Sequence, residues 1–599
     1  MKKLLNCLLG LTLAWALPAS AETSPTPPGP KAYDAAPFVK GFSRPYQKNT
    51  ARKLGIKSLS DLPLYQLDME LNAVLGTLKI KQDVNFKNTT SSALNDLVFR
   101  TYPNVLNVSS GKERNLEFGK ITINGQPGHA QEINPSAWRI TLAQPLLPGQ
   151  RVLIGLQINA VIPRMQTNPE SAGFTNIMAE LMGKQGREGY GIYARHEGIF
   201  NLGFFYPILP VRMGQDWDTE LPAGMGDVAH FDVANYLVKL RVPKTMLVAS
   251  SGTQVGEQAL GTGPQDKKEV YLMGAALRHF ALQLSTRYVT KQKKVNGINV
   301  RVFVLQERKN EADKLLGYAA GAVQTFMKLF GHFPYSELDV ADAPLIGGAG
   351  GMEYPGLVTV AVALTNPQTG GPMGALIGKL MESTATVEFV LAHEVAHQWF
   401  HVLVGSDSNR HPFLDEALAN YAAVLYFEKR HGSQAAINQL QMQLAMPYQL
   451  HRAFGGRDGR VDRAVKDFSN QLEYAALVYG KGALFFHFLR TAIGKKTFFR
   501  CLKNYIRNNA FRQADPADLL KAFVQGSKKG RKVKALYKRW IHERHADQDL
   551  AKLKLPSLNK LLGQLKNLKG FHNVKLDGAI DPATLRLFQQ AIKQISGGP

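Results

Sequence analysis

Cysteine is almost missing from this 599-residue chain: only Cys7 and Cys501 occur. Two thiols allow one bridge at most, so a disulfide-stapled scaffold is excluded and a packed core has to hold the fold. Acid is scarce too. Lys and Arg number 72 against 47 Asp and Glu, a formal charge of +25, which favours anionic partners. Nucleic acid is argued against, because no helix-turn-helix or RNP-like motif and no interleaving of basic with aromatic residues accompanies the charge. Long apolar runs are absent beyond the first twenty residues, so no later segment reads as a membrane span.

What is present begins with Lys2, Lys3, an apolar run over Leu4 to Leu17 and Ala19-Ser20-Ala21. This reads as a signal peptide, residues 1–21, and the expectation is an exported, periplasmic or secreted protein. Cys7 would leave with it, and Cys501, between Phe499 and Leu502 in a helical pattern, reads as core. Residues 22–60, with Pro-, Thr- and Ser-rich positions 23–30, read as linker. Strand alternation follows in Tyr65, Leu67, Met69 and Leu71, in Leu78, Ile80, Val84 and Phe86, and in Tyr236, Val238, Leu240 and Val242. The expected class is therefore multidomain α+β: an N-terminal antiparallel β domain over 61–287, a largely helical catalytic domain over 288–550 and a small helical segment over 551–599.

The chemistry concentrates at His393-Glu394-Val395-Ala396-His397, followed nineteen positions later by Glu416. Imidazoles at i and i+4 project from one helical face, close enough to share a tetrahedral metal, and Glu394 is rotated toward a metal-bound water. The apolar recurrence of Val387, Val390, Leu391, Phe400 and Leu403 predicts a helix from Thr386 to Val404 with Gly405 as its C′ residue. A second helix is expected from Pro412 to Gly432, burying Leu414, Leu418, Tyr421 and Leu425. One zinc ion held by His393, His397 and Glu416, with Glu394 as general base, is the expected centre. Two other segments carry chemistry: the glycine-dense stretch Gly347 to Gly356 places one acid, Glu353, among uncharged residues, and Tyr479-Gly480-Lys481-Gly482 offers a phenol for an oxyanion.

In this order the segments resemble the gluzincin aminopeptidases, the family of membrane alanyl aminopeptidase. That family's HExxH, eighteen residues, Glu pattern and its AHQWF are met at His393 to Phe400 and Glu416. Its GAMEN is represented by Gly350-Gly351-Met352-Glu353-Tyr354, and its Tyr-x-Lys-Gly by Tyr479 to Gly482. The resemblance implies a saddle-like N-terminal β domain, a thermolysin-like catalytic domain, peptide substrates with a free N-terminus, Glu353 on the α-amine beside Gly350, Gly351 and Met352, and Tyr479 on the carbonyl. Departures occur at Pro412-Phe413-Leu414-Asp415-Glu416-Ala417-Leu418, where the family commonly reads WLNEGFA. No second amine anchor is legible in the N-terminal half; Tyr193, Arg195, Glu197 and Tyr206 form a candidate cluster.

Other readings stay open: a zinc endopeptidase, a peptidase of cell-wall stem peptides, or a non-enzymatic envelope-binding protein on a peptidase scaffold. Residues 527–575 hold fourteen basic and three acidic residues, which suits an anionic envelope surface. Asp577-Gly578, Pro582-Ala583-Thr584 and Phe588-Gln589 resemble a small peptidoglycan-binding module, against which stands a helical extension packed on the catalytic domain.

Overall fold

The computed structural model describes residues 59–106, 114–165, 189–228, 230–263, 266–365 and 385–551. The signal-peptide reading, nearly all of the 22–60 linker and the peptidoglycan-module resemblance lie outside the described residues. Among the described residues no helix is long and apolar enough to cross a membrane.

Period-2 alternation builds the N-terminal half. Strands β1 (Leu64–Asn72), β2 (Thr77–Lys87), β3 (Leu116–Ile123), β4 (Gln126–Pro127), β5 (Arg151–Val161), β6 (Ala234–Pro243), β7 (Thr253–Ala259) and β8 (Lys267–Leu277) form one sheet in the order β7-β8-β6-β1-β2-β5-β3-β4. Tyr65, Leu67, Met69 and Leu71 are all buried, as are Tyr236, Val238, Leu240 and Val242. The parity of apolar positions thus defines a core face. The expectation of an antiparallel sheet needs one correction: β1 and β6 pair in parallel, Leu64 opposite Asn235. Alternation specifies which face is buried and carries no information on strand direction.

A second, five-stranded sheet contains β9 (Tyr288–Val295), β10 (Ile298–Leu305), β11 (Glu337–Ala343), β12 (Gly351–Tyr354) and β13 (Leu357–Ala361), in the order β9-β10-β11-β13-β12. Helix α1 (Ala312–Phe330) follows β10 and packs on β9 and β10 and on α2 (Thr386–Ala396). Beyond lie α3 (Glu416–Arg430), α4 (Ala483–Ile493) and further helices to Leu550. The fold is mixed α+β, β-rich first and largely helical afterwards. Cys501 is a buried free thiol.

Helix α2 departs from its expected span. It ends at Ala396 with His397 as C-cap, not at Val404. Val402, Leu403 and Val404 bond back five residues, to the carbonyls of His397, Gln398 and Trp399, and His401 has φ 153°. The cause is distant in sequence. Arg278, immediately after β8, is buried and donates to the carbonyls of His401 (2.8 Å), Val402 (2.9 Å) and Leu403 (3.3 Å), and also to those of Phe231 (3.0 Å) and Arg512 (2.9 Å). Buried carbonyls of the turn after α2 need partners, and here a guanidinium supplies them. A Cβ at Gly405 would fall 2.3 Å from the guanidinium carbon, so only glycine admits this clamp.

Candidate metal centre

Helix α2 has no polar face: from Phe389 onward its residues are buried with the single exception of the half-buried Val390. That suits a helix enclosed by sheet, α1 and α3. Glu388 in its first turn accepts from Tyr426 Oη (2.6 Å) and faces His431 Nε2 (2.8 Å), which fixes α2 against α3. Helix α3 is opened by a 3₁₀ turn at Pro412–Leu414, and Asp415 accepts from the Glu416 amide (2.7 Å) as its cap. Leu414, Leu418, Tyr421 and Leu425 are all buried as expected.

These two helices bring His393, His397 and Glu416 together. The two Nε2 atoms are 2.9 Å apart, and Glu416 Oε2 stands 3.2 Å from His393 Nε2 and 3.3 Å from that of His397. Donor atoms sharing a zinc ion at 2.0–2.1 Å in tetrahedral array stand about 3.3 Å apart. The donor set fits zinc. His397 Nδ1 faces the Phe400 carbonyl at 3.0 Å; a proton held there leaves Nε2 its lone pair, as a metal ligand requires. Glu416 Oε2 is buried and makes no hydrogen bond among the described residues, as an oxygen directed at a cation would.

Glu394 is 5% exposed, and its Oε2 also makes no hydrogen bond among the described residues. Burial, then the charges of Glu416 and Asp227, pushes its carboxyl well above the ordinary carboxylate range. Strand β12 runs against it at the edge of the second sheet. A Cβ at Gly351 would lie 2.5 Å from Glu394 Oε1, so the missing side chain admits the carboxylate. Glu353 projects from the same strand and is 6% exposed. Gln398, just past α2, fixes that strand: its Nε2 donates to the Tyr354 carbonyl (3.1 Å) and its Oε1 accepts from the Gly356 amide (2.9 Å). Burial and the neighbouring Asp227 raise the Glu353 carboxyl well above its ordinary value, while His397 acts the other way.

Tyr479 lies in a π-helical segment, Ala475–Gly482. Its hydroxyl donates to Glu416 Oε1 (2.5 Å), its ring stacks on His393 at 5.9 Å, and its carbonyl accepts from Asn420 Nδ2 (3.0 Å). Burial and the Glu416 charge hold the phenol well above its usual value, so it keeps its proton. Lys481 points away from the centre; its fully buried ammonium donates to Asp458 (2.8 Å) and to the carbonyls of Gly459 and Glu543 (both 2.7 Å).

A cavity of about 180 Å³ joins these groups, with His393, Glu394, His397, Glu416, Glu353, Met352, Gly350, Gly351 and Tyr479 on its walls. Every candidate residue of the zinc, glycine-dense and Tyr479 segments that the sequence assigns to the site lines it. The opposite wall comes from the N-terminal half and includes Tyr190, Gly226 and Asp227. The Tyr190 hydroxyl accepts from the Gly226 amide (2.8 Å). Asp227 escaped the sequence reading because its loop has no periodicity and no motif. The candidate cluster is corrected: Tyr193 and Tyr206 are fully buried, while Arg195 and Glu197 line a separate cavity with Arg164.

Residues 321–540 match the Peptidase family M1 domain. That stretch is similar to an M1 peptidase domain. It is 27% identical over 253 residues to aminopeptidase M1-A of Oryza sativa subsp. japonica, covering 41% of this chain and 27% of that protein. With aminopeptidase M1 of Arabidopsis thaliana it shares 26% identity over 330 residues, covering 54% and 35%. The matches thus span about a third of these relatives' length. The fold resembles the M1 zinc metallopeptidase from Deinococcus radiodurans, with TM-score 0.57 and 18% identity over 81% of this chain and 94% of that one. Within the matched stretch, His393, His397 and Glu416 form the zinc-binding cluster.

Proposed function

We propose that the protein is a zinc aminopeptidase, removing single residues from free peptide N-termini. One observation carries the reading: Glu353 stands in the same cavity as the three zinc ligands and within 4.8 Å, donor atom to donor atom, of Glu394 and His397. A bound zinc ion supplies Lewis acidity toward a carbonyl and lowers the pKa of water toward neutrality. Glu394, whose buried carboxyl holds a proton more readily than an ordinary carboxylate, takes the proton from the attacking water and returns it to the leaving amine. Tyr479, kept protonated, donates to the oxyanion. Glu353 accepts the α-ammonium as a charge-assisted pair, and the short span from it to the metal admits one residue between amine and scissile carbonyl. An internal peptide bond would leave that buried carboxylate unpaired, which costs affinity.

The relatives named aminopeptidases support the same reading. The test is a substrate panel: aminoacyl chromogenic substrates, their N-acetylated counterparts and internally quenched peptides, each with and without a zinc chelator. Chelator-sensitive cleavage confined to free-amine substrates is expected. Cleavage of N-acetylated or internal bonds at equal efficiency would make the protein an endopeptidase instead, and no cleavage of any substrate by the zinc-loaded protein would leave a binding scaffold.

A further inference from the structure

The N-terminal half holds a second cavity, of about 540 Å³, between the tip of the β1–β2 hairpin, the residues after β5 and the turn that joins the strands Tyr193–His196 and Ile199–Leu202. Its charge is one-sided. Arg164, Arg195 and His196 stand on its walls against one acid among the described residues, Glu197, and much of the remaining lining is apolar. The backbone dictates this pairing. Arg164 and Arg195 face each other across a parallel bridge, with the Arg195 amide donating to the Pro163 carbonyl (2.8 Å) and the Met165 amide to the Arg195 carbonyl (3.1 Å). Directly opposed residues send their side chains to one face, where like charges repel. Burial, and then Arg164, hold the Arg195 guanidinium below its ordinary value.

No carboxylate relieves that repulsion. Among the described residues the Arg164 side chain makes no hydrogen bond or ion pair, and the Glu197 carboxylate pairs with neither arginine. Arg195 is fixed by its Nη atoms, which donate to the carbonyls of Val74 (3.1 Å) and Leu75 (2.9 Å) at the hairpin tip. Its Nε and the Nε2 of His196 are buried and make no hydrogen bond among the described residues. Other arginines of the N-terminal half are neutralised: Arg287 pairs with Glu307 (2.8 Å), and Arg241 with Asp68 (3.0 Å) and Glu269 (2.8 Å). Two cations set side by side at an apolar-walled cavity, without a counter-charge of their own, favour an anion from outside.

We propose that this cavity binds a phosphate group. A guanidinium fork matches the oxygens of phosphate or of carboxylate. Two fixed positive charges with an imidazole beside them balance a doubly charged phosphate monoester, however, where a carboxylate brings one charge only. Apolar walls keep the local dielectric low and strengthen each contact. Two sources present such a group: a soluble phosphate ester or the headgroup of a lipid. The lip of the cavity bears on the choice, since Val74 is 83% exposed and Leu75 63%. Apolar side chains beside an anion site suit a bilayer interface, whereas a soluble ester makes no use of them.

The inference is independent of the peptidase reading, because among the described residues none lines both this cavity and the zinc cavity. The full-length protein is titrated with inorganic phosphate by calorimetry at constant ionic strength, and with acetate in parallel. One phosphate per chain is expected, with acetate about tenfold weaker or more. Arg164→Gln removes no hydrogen bond among the described residues, and circular dichroism checks its fold; its phosphate affinity should fall by about tenfold or more. Co-sedimentation with phosphatidylcholine vesicles containing phosphatidic acid separates the two sources. Vesicles with phosphatidylglycerol at matched surface charge control for the basic surface as a whole. A lipid headgroup predicts sedimentation with phosphatidic acid that Arg164→Gln and a Val74→Ser, Leu75→Ser double variant both reduce, the double variant binding inorganic phosphate as the wild type does. A soluble ester predicts phosphate binding without preference for phosphatidic acid vesicles. Saturable binding of neither probe, binding that Arg164→Gln leaves unchanged, or acetate bound as tightly as phosphate overturns the proposal.

Discussion

At the scale of single residues, the centre assigns each group a distinct failure. Glu394→Gln removes a proton acceptor that the metal does not need, so zinc content should stay at the wild-type level while kcat falls by about a thousandfold or more. Metal analysis and steady-state kinetics on one preparation decide this, and near-normal turnover would remove Glu394 from the base role. Tyr479→Phe keeps the ring on His393 and loses only the hydroxyl; kcat should drop about a hundredfold with little change in melting temperature. Proton competition gives a third expectation. Although burial opposes it, Glu353 and Glu416 hold the metal-free His397 imidazole up at about 10. Zinc must therefore displace a proton at any lower pH, so its affinity should rise by about tenfold per pH unit for each proton released and fall away in acid. Titration of the apoprotein with zinc at pH 6, 7 and 8 measures the slope, and a flat profile would contradict the raised imidazole.

At the scale of elements, the zinc ligands were legible because i, i+4 spacing and a second helix with apolar residues at helical spacing are local properties of the chain. The end of α2 was not. Apolar recurrence continued through Leu403, and nothing local announces that a guanidinium more than a hundred residues upstream captures the carbonyls of 401–403. The parallel pairing of β1 and β6 was hidden for a related reason, since alternation encodes faces and not directions. The glycine-dense stretch is visible in the sequence as a place for Glu353, and the structure gives one of its glycines a specific reason, since Gly351 makes room for Glu394. Gly351→Ala should fold, with its extended backbone intact, yet push the carboxylate aside. The expected result is a kcat lower by at least tenfold with zinc retained, and an unchanged kcat would show that the helix yields instead.

At the scale of the whole molecule, Arg278 joins β8, the turn after α2, the loop that carries Asp227, and the segment after residue 509. Arg278→Met keeps comparable length and removes five hydrogen bonds; among the described residues the buried carbonyls of His401 and Val402 have no other donor, while those of Phe231, Leu403 and Arg512 keep Gln513 Nε2 and the Phe511 and Gly405 amides. Loss of about 3 kcal/mol or more of unfolding free energy is expected, read by chemical denaturation. A change below about 1 kcal/mol would mean that water takes the donor's place. The loop acid Asp227 was invisible in the sequence for the same reason that the clamp was: both act across the two halves, where neither periodicity nor spacing reaches.

The cavity shared by the two halves also bears on inheritance. The stretch matched to the M1 domain starts at residue 321, inside α1, downstream of β9 and β10 and of Tyr190 and Asp227. A gene fragment encoding only that stretch would carry every zinc ligand and Glu353, yet would lack one wall of the cavity and two strands of its sheet. Moved alone, that stretch would bring the ligands without the enclosed cavity in which they stand.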